Sequence, residues 1–173
     1  MPSRQWALPA LVIVLVVGAL HKMTLASDAP GVSAPLDHLA VAALVIETRS
    51  GERHDFRIYE ARTPEERSRG LMFVTELAPD QGMLFDSGQT EHSAMWMRNT
   101  PLSLDMLFVL PDGSIARIER ETIPYSRTLI PSGVPVRAVL ELRGGVAAEL
   151  SIGAGDRVIH PIFETPAAGP DTP

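Results

Sequence analysis

Alternating apolar and polar positions in the middle of the chain predict β-strands. Residues 42–48 form an apolar run rich in β-branched residues. After an SGE turn, residues 54–60 alternate, with Phe56 and Ile58 on one face. Strands that are buried on one face show this period of two. The two segments therefore predict a β-hairpin.

The next segment, TPEERSRG, predicts a short helix of about two turns. Thr63 is a suitable N-cap and Pro64 suits the first helical position. Glu66 completes a capping box, in which cap and third helical residue satisfy each other's backbone N–H groups. Gly70 ends the pattern.

The central part of the chain predicts further strands. Residues 82–85 and 93–97 are two short strand candidates separated by the polar loop DSGQTEH. In residues 102–110 both faces look covered, which predicts a central strand. One face carries Leu102, Leu104, Met106, Phe108 and Leu110, and the other carries Ser103, Asp105, Leu107 and Val109.

The C-terminal half continues the pattern. A PDG turn leads into SIARIERE, which predicts a hairpin, and a loop interrupted by prolines follows. VRAVLEL predicts a strand with Val136, Ala138, Leu140 and Leu142 inward, and with Arg137 and Glu141 on the opposite face. GGVAAEL predicts one or two helical turns, and RVIHPIF predicts a last strand.

Together these segments predict one mainly β domain over residues 39–164. We expect a compact single-domain β-barrel or sandwich of about seven or eight strands with one or two short helices. The chain of 173 residues is long enough for one such core once its ends are subtracted. No internal repeat is visible.

The first 26 residues predict export. Arg4 precedes an apolar run over residues 6–20, shorter than the roughly 20 apolar residues of a free-standing membrane span. Thr24 and Ala26 give a signal-peptide cleavage pattern, whereas His21 and Lys22, directly after the apolar run, favour an uncleaved anchor. Both interpretations predict a periplasmic or extracellular domain, which contacts the membrane only through residues 1–26 if they are uncleaved.

The segments flanking the domain have a different composition. Residues 27–38 are rich in Ser, Ala, Pro and Gly, which predicts a flexible linker. The Pro-rich residues 165–173 predict a disordered tail.

Charge and composition exclude several functions. A net charge of −6 gives no basic face for nucleic acid. Without cysteine the chain has no disulfide and no thiolate nucleophile, and Lys22 is the only lysine, so the mature domain has no lysine for Schiff-base chemistry. We expect no cofactor. The ligand and the oligomeric state do not follow from the sequence.

Six sequence blocks in order resemble the DUF192 family, also called UPF0127. They are RGLMFV (69–74), GMLF (82–85), MWMRNTPLSLDMLFV (95–109), DGSI (112–115), AVLEL (138–142) and GAGDRV (153–158). The resemblance covers residues 56–163, and Arg98 stands where that family usually has lysine. It implies a β-rich domain, frequently exported in bacteria, without an established activity.

A polar cluster in the third block is the main candidate site. Its residues are Trp96, Arg98, Asn99, Thr100 and Asp105, with Glu141 joining from a neighbouring strand. One interpretation is a structural turn that Asp105 pins, because buried charges need partners. The other is a pocket in which Arg98 binds an anion, Asn99 and Thr100 donate hydrogen bonds, and Asp105 orients Arg98. We adopt a non-catalytic binding or accessory module with this ligand-binding site.

Two alternatives remain open at this point. His92, Met95 and Met97 form a soft donor set suited to Cu(I) or Ag(I), although methionines also fill cores routinely. Asp105 and Glu141 form a glycosidase-like carboxylate pair only if their carboxyl groups lie about 5 to 10 Å apart across a cleft. Since no G-x-S-x-G nucleophile motif is present, we lean against an enzyme.

Overall fold

Seven strands and two short helices follow the apolar segments of the chain. The structure is a computed structural model, and it describes residues 36–163. In chain order the elements are β1 (Ala40–Glu47), β2 (Arg53–Ala61), α1 (Pro64–Arg69), β3 (Gln81–Met95), β4 (Leu104–Val109), β5 (Ile115–Glu119), β6 (Ile130–Arg143), α2 (Val146–Glu149) and β7 (Arg157–Ile159), followed by a 3₁₀ turn at Pro161–Phe163. The mainly β prediction is confirmed.

The strands form one sheet that nearly closes into a barrel. Their order is β5-β4-β6-β3-β2-β1-β7, and all neighbours are antiparallel except β2 and β3. The two edges meet where Ser114 bridges Arg157. There the N–H of Ile115 donates to the carbonyl of Asp156 at 2.8 Å. Closure of this kind leaves little strand edge unpaired.

Two hydrophobic clusters occupy the two faces of the sheet. Every strand contributes to the first, which we call the inner cluster; it includes Leu44, Ile58, Leu84, Leu107, Ile115, Leu140 and Val158. The second, the outer cluster, includes Leu71, Met83, Phe85, Met97, Leu104, Met106, Phe108 and Val139. Successive side chains of a strand point to opposite faces, so β4 supplies both clusters and is buried along its whole length.

The predicted hairpin and helix start are confirmed. β1 pairs with β2 around Gly51, whose φ of 88° is easily reached only by glycine. The hydroxyl of Thr63 accepts from the N–H of Glu66, and the Glu66 carboxylate accepts from the N–H of Thr63. The backbone N–H groups of Thr63 and Arg62 hold the pKa of Glu66 below its usual value. This capping box fixes where α1 begins.

Three predicted boundaries are wrong. The two short strands before residue 98 are one strand, β3, which ends at Met95, because the polar segment between them still pairs with β6 through two register shifts. Strand β6 begins at Ile130, inside the loop predicted from its prolines. The last strand ends at Ile159, where a 3₁₀ turn replaces it.

One face assignment is also wrong. Val136 packs in the outer cluster, not on the inner face with Ala138, because the register of β3 against β6 shifts between Asp86 and Glu91. Ala138, Leu140 and Leu142 lie inward as predicted.

Several predictions concern segments at the chain ends. Those for residues 1–26, for most of the linker and for the tail at 165–173 lie outside the described residues. At the linker's end, Leu36 is buried in the outer cluster. Between residues 36 and 163, no helix has the length and apolar character needed to cross a membrane.

Candidate functional site

Glu141 is a buried acid in the middle of the sheet. It lies on β6 opposite Met83 of β3 and Met106 of β4, and only 3% of the residue is exposed. The backbones of β3 and β6 approach closely here, since a Cβ on Gly82 would lie 2.7 Å from the Glu141 carbonyl oxygen. These neighbours place the carboxyl group among apolar side chains.

The Glu141 carboxyl group receives no hydrogen bond from any residue between 36 and 163. Burial raises its pKa to about 8, because the charged form is poorly solvated in an apolar environment. Near neutral pH the group is therefore mostly the uncharged acid, which has an O–H to donate. Unlike the completely enclosed unpartnered atoms of the described residues, such as His54 Nε2, the carboxyl oxygens of Glu141 retain some contact with the space beside them.

A small cavity lies against this carboxyl group. Its volume is about 30 Å³, enough for a water-sized group. Four of the six predicted site residues line it: Trp96, Arg98, Thr100 and Glu141. The structure thus brings together two segments that are far apart in the sequence, the turn after β3 and strand β6.

Arg98 and Trp96 are stacked at the mouth of the cavity. The guanidinium carbon of Arg98 lies 4.4 Å from the centre of the Trp96 ring, within the range of a cation–π contact. Both residues are exposed, Trp96 at 41%. The stacking restrains the guanidinium beside the cavity while leaving its N–H donors accessible.

Asn99 and Thr100 form the bend between the mouth and β4. Asn99 has a φ of 58°, a left-handed conformation that asparagine tolerates. Its carbonyl accepts from the N–H of Phe73 at 2.8 Å, and the carbonyl of Thr100 accepts from the N–H of Tyr125 at 3.0 Å. Thr100 lines the cavity, whereas Asn99 does not; the Asn99 Nδ2 donates to the Sδ of Met72, a lining residue, at 3.8 Å.

Phe73 and Tyr125 are unusual residues that the sequence analysis did not single out. Both have positive φ, 65° and 60°, which is strained for aromatic residues, and both are more than half exposed. Their backbone N–H groups clamp the turn at residues 99–100 from two sides. Strained conformations are frequent next to binding sites. The local sequence carries no signal for them, because the strain depends on contacts between distant loops.

Asp105 lies on the opposite face of the sheet from Glu141. Its register partner on β6 is Leu142, so Glu141, the next residue, points the other way. The Asp105 carboxylate is fully buried and accepts from the N–H of Glu121 and the N–H of Ala147, both at 2.8 Å. It therefore holds a loop and the start of α2, and it does not share a cleft with Glu141.

Helix α1 contributes two cationic residues to the cavity, for which the local sequence pattern suggests no more than a solvated helix face with Glu65 and Glu66. Arg67 and Arg69 both line the cavity of Glu141. Arg67 is half-buried and donates to the carbonyls of Arg62 and Asp86. Helical periodicity alone did not reveal this, because it does not show which part of the sheet the helix covers.

A larger groove of about 330 Å³ adjoins the cavity. The two share four lining residues: Arg67, Ser68, Phe85 and Met95. The rest of the groove is formed mainly by β3 and β6 around Arg137, whose guanidinium pairs with Asp86 at 2.7 Å. The groove has a volume near the lower end of small-molecule sites.

The soft-metal candidates lie in different environments. His92 is exposed, whereas Met97 is fully buried and its Sδ accepts from the Thr122 hydroxyl at 3.2 Å. Met95 is half-buried and lines the groove. Within the described part of the chain, no group of three or more His, Cys, Asp or Glu side chains is arranged to hold a metal ion.

Comparisons with known proteins give one family and two similar structures. The family DUF192, described as "Uncharacterized ACR", matches residues 45–160. No curated protein matches the chain. A protein from Sinorhizobium meliloti 1021, called a "putative transcription regulator", is 42% identical, covers 72% of this chain and 96% of its own, and superposes with a TM-score of 0.71. A protein of unknown function from Novosphingobium aromaticivorans DSM 12444 is 40% identical, with 78% and 94% covered and a TM-score of 0.70.

Proposed function

This chain belongs to the DUF192 family, whose description names no activity, and we propose that it is an exported, non-catalytic binding or accessory module. Its site is the cavity between Glu141, Arg98 and helix α1, together with the adjoining groove. We do not propose for this chain the role of transcription regulator named for the Sinorhizobium meliloti relative, because a net charge of −6 opposes binding to nucleic acid.

The unpartnered carboxyl group of Glu141 carries this proposal. Leaving a buried polar group without a hydrogen bond costs about 1 to 3 kcal/mol of folding stability. An apolar residue would avoid that cost among Met83 and Met106. A position that lowers stability in this way is expected where a protein needs the group for function.

The surroundings of Glu141 favour binding over catalysis. Within the described part of the cavity wall, the other ionisable groups are the arginines Arg67, Arg69 and Arg98. A hydrolase of the glycosidase type needs a second carboxyl group across the cleft. Asp105, the candidate for it, is on the other face and engaged with two backbone N–H groups.

Retention of a small molecule tests the proposed site. The full chain is incubated with a small-molecule extract of the cells that produce it, separated from unbound material by gel filtration, and denatured for mass spectrometry. We expect at least one compound that the unaltered chain retains and that Glu141→Met and Arg98→Gln lose. Arg53→Gln, a surface variant at the start of β2, is the matched control and should retain it. Equal retention by all four proteins contradicts the proposed site.

The proposal that the protein is exported rests on the apolar segment at the start of the chain, and it is tested separately. Cell fractionation followed by N-terminal sequencing should recover the protein either in the periplasm or the medium, starting at Ser27, or in the membrane fraction with residues 1–26 intact. Recovery in the cytosol contradicts export.

A further inference from the structure

We infer that the ligand of the Glu141 cavity is a small organic carboxylate, held between the O–H of Glu141 and the guanidinium of Arg98. The inference rests on the proposed function, since it names the ligand class of the same site. Its grounds are the charge around the cavity, the state of Glu141 and the shape of the space.

The charge around the cavity is positive although the protein is acidic. The chain has a net charge of −6, yet Arg67, Arg69 and Arg98 all line the cavity. Among the described residues of its wall, Glu141 is the sole acid. The ion pairs that engage other arginines, such as Arg62 with Glu60, do not engage Arg98. The accessible guanidinium of Arg98 is therefore free to bind an anion, for which planar carboxylates are well-matched partners.

Glu141 faces this anion as a donor. The groups around it on β3 and β4 are Met83 and Met106, which carry no charge. Among the described residues of the cavity wall, the charged side chains are those of Arg67, Arg69 and Arg98, and burial alone accounts for the raised pKa of Glu141. Burial keeps its pKa near 8, so at neutral pH it presents an O–H. A hydrogen bond from an acid to an anion is charge-assisted and strong. A cationic ligand would be repelled by the three arginines.

The shape favours a carboxylate with an organic body. The cavity of about 30 Å³ has room for one water-sized group, such as a single carboxylate oxygen, and is too small to enclose a tetrahedral phosphate or sulfate. The adjoining groove of about 330 Å³ provides room for the rest of the molecule. Phe85 and Met95, shared by both spaces, give an apolar wall where the body leaves the carboxylate.

A matched set of probes tests the ligand class. Butyrate, butylamine and butyramide have bodies of similar size and differ in charge. The full chain carries Trp6→Phe, so that Trp96 is its only tryptophan and reports on Arg98 through fluorescence. We expect butyrate to bind at about pH 7 and the other two not to bind. Because only the protonated acid is competent, butyrate should bind about tenfold more weakly at about pH 9.

Variants separate the donor role of Glu141 from simple packing. Glu141→Gln keeps an N–H donor without titrating, so it should retain butyrate binding and lose the tenfold pH dependence. Glu141→Met and Arg98→Gln should lose binding, whereas Arg53→Gln should behave like the parent protein. Thermal unfolding of each variant verifies that it is folded.

Four outcomes overturn the inference. Preference for butylamine identifies a cation site, and binding that strengthens above pH 8 shows that the acid form is not the donor. If no probe binds while a compound from the cell extract is still retained through Glu141, the carboxylate class is wrong and the proposed function stands. Failure of both experiments rejects the inference and the proposed function together.

Discussion

Two buried carboxyl groups lie almost side by side in the sheet and differ in every other respect. Asp105 on β4 and Glu141 on β6 occupy neighbouring register positions but opposite faces. Asp105 accepts hydrogen bonds from two backbone N–H groups, whereas Glu141 accepts none from the described residues. Equal burial therefore does not imply an equal role. The backbone donors around each group distinguish a structural acid from one that is available to a ligand.

The two faces differ in packing as well. Asp105 lies on the face of the inner cluster, where the start of α2 supplies the N–H of Ala147. Glu141 lies on the face of the outer cluster, which contains Met83, Met97 and Met106. Methionine side chains are flexible and adapt to irregular spaces. The Glu141 face is thus the more adaptable of the two, as a binding site requires.

Replacing Asp105 should give the largest change in the free energy of unfolding. Asp105→Ala leaves the N–H of Ala147 buried without an acceptor and removes the acceptor of the part-buried N–H of Glu121, so we expect a loss of about 3 to 5 kcal/mol in the free energy of unfolding. Urea unfolding of the full chain measures it. A loss below about 1 kcal/mol would remove the contrast between the two carboxyl groups.

Replacing Glu141 should stabilise the protein, whereas replacing Asp105 should destabilise it. Glu141→Met substitutes a side chain of similar length that matches Met83 and Met106, and it removes an unpartnered polar group. We expect a gain of about 1 to 3 kcal/mol at neutral pH. Thermal and urea unfolding measure the gain, and destabilisation by this variant would show that Glu141 is structural.

The pH dependence of stability should distinguish the two positions further. Burial raises the pKa of Glu141 from 4.5 to about 8, so between these values the unfolded chain binds fewer protons at this site than the folded protein. Stability due to this group therefore falls as pH rises through that window, by up to about 1.4 kcal/mol per pH unit. Glu141→Gln should remove this slope. The contribution of Glu141 is the difference between the slopes of stability against pH for the unaltered chain and for Glu141→Gln. Equal slopes for the two proteins would contradict a raised pKa of Glu141.

Weakening α1 should give the smallest change in stability. Its effect on local opening should be confined to the face of the sheet that carries Glu141. Thr63→Ala removes the N-cap hydroxyl of the helix that carries Arg67 and Arg69, at a cost of about 1 kcal/mol. Hydrogen exchange should become faster in α1 and stay unchanged at Ala147 in α2. Equal acceleration on both faces would show that the two sides do not open independently.

Much of the fold follows from local patterns in the sequence. The capping box around Thr63 and Glu66, the two covered faces of residues 102–110 and the PDG hairpin are all confirmed, because each depends on neighbouring residues. The continuous strand β3 was missed because its polar segment looks like a loop. Only pairing with β6, which lies distant in the sequence, keeps it extended.

The candidate site could be predicted only in part. Trp96, Arg98 and Thr100 were named from one polar cluster, and the structure gathers them with Glu141 around a cavity. The partners of Asp105 were beyond the sequence, since the N–H groups of Glu121 and Ala147 come from segments 16 and 42 residues away. That residues of α1 line the cavity could not be predicted either, because the rest of the cavity wall is distant from α1 in the sequence.

Direct titration of the two side chains tests the central claim that Glu141 is an unpartnered, protonated acid at neutral pH. Carbon-13 NMR of the full chain follows the Glu141 carboxyl resonance against pH, with Glu141→Gln used to assign it. We predict a midpoint near 8, as burial without a partner requires. A midpoint near the ordinary value of 4.5 would contradict the account, because Glu141 would then be solvated or paired.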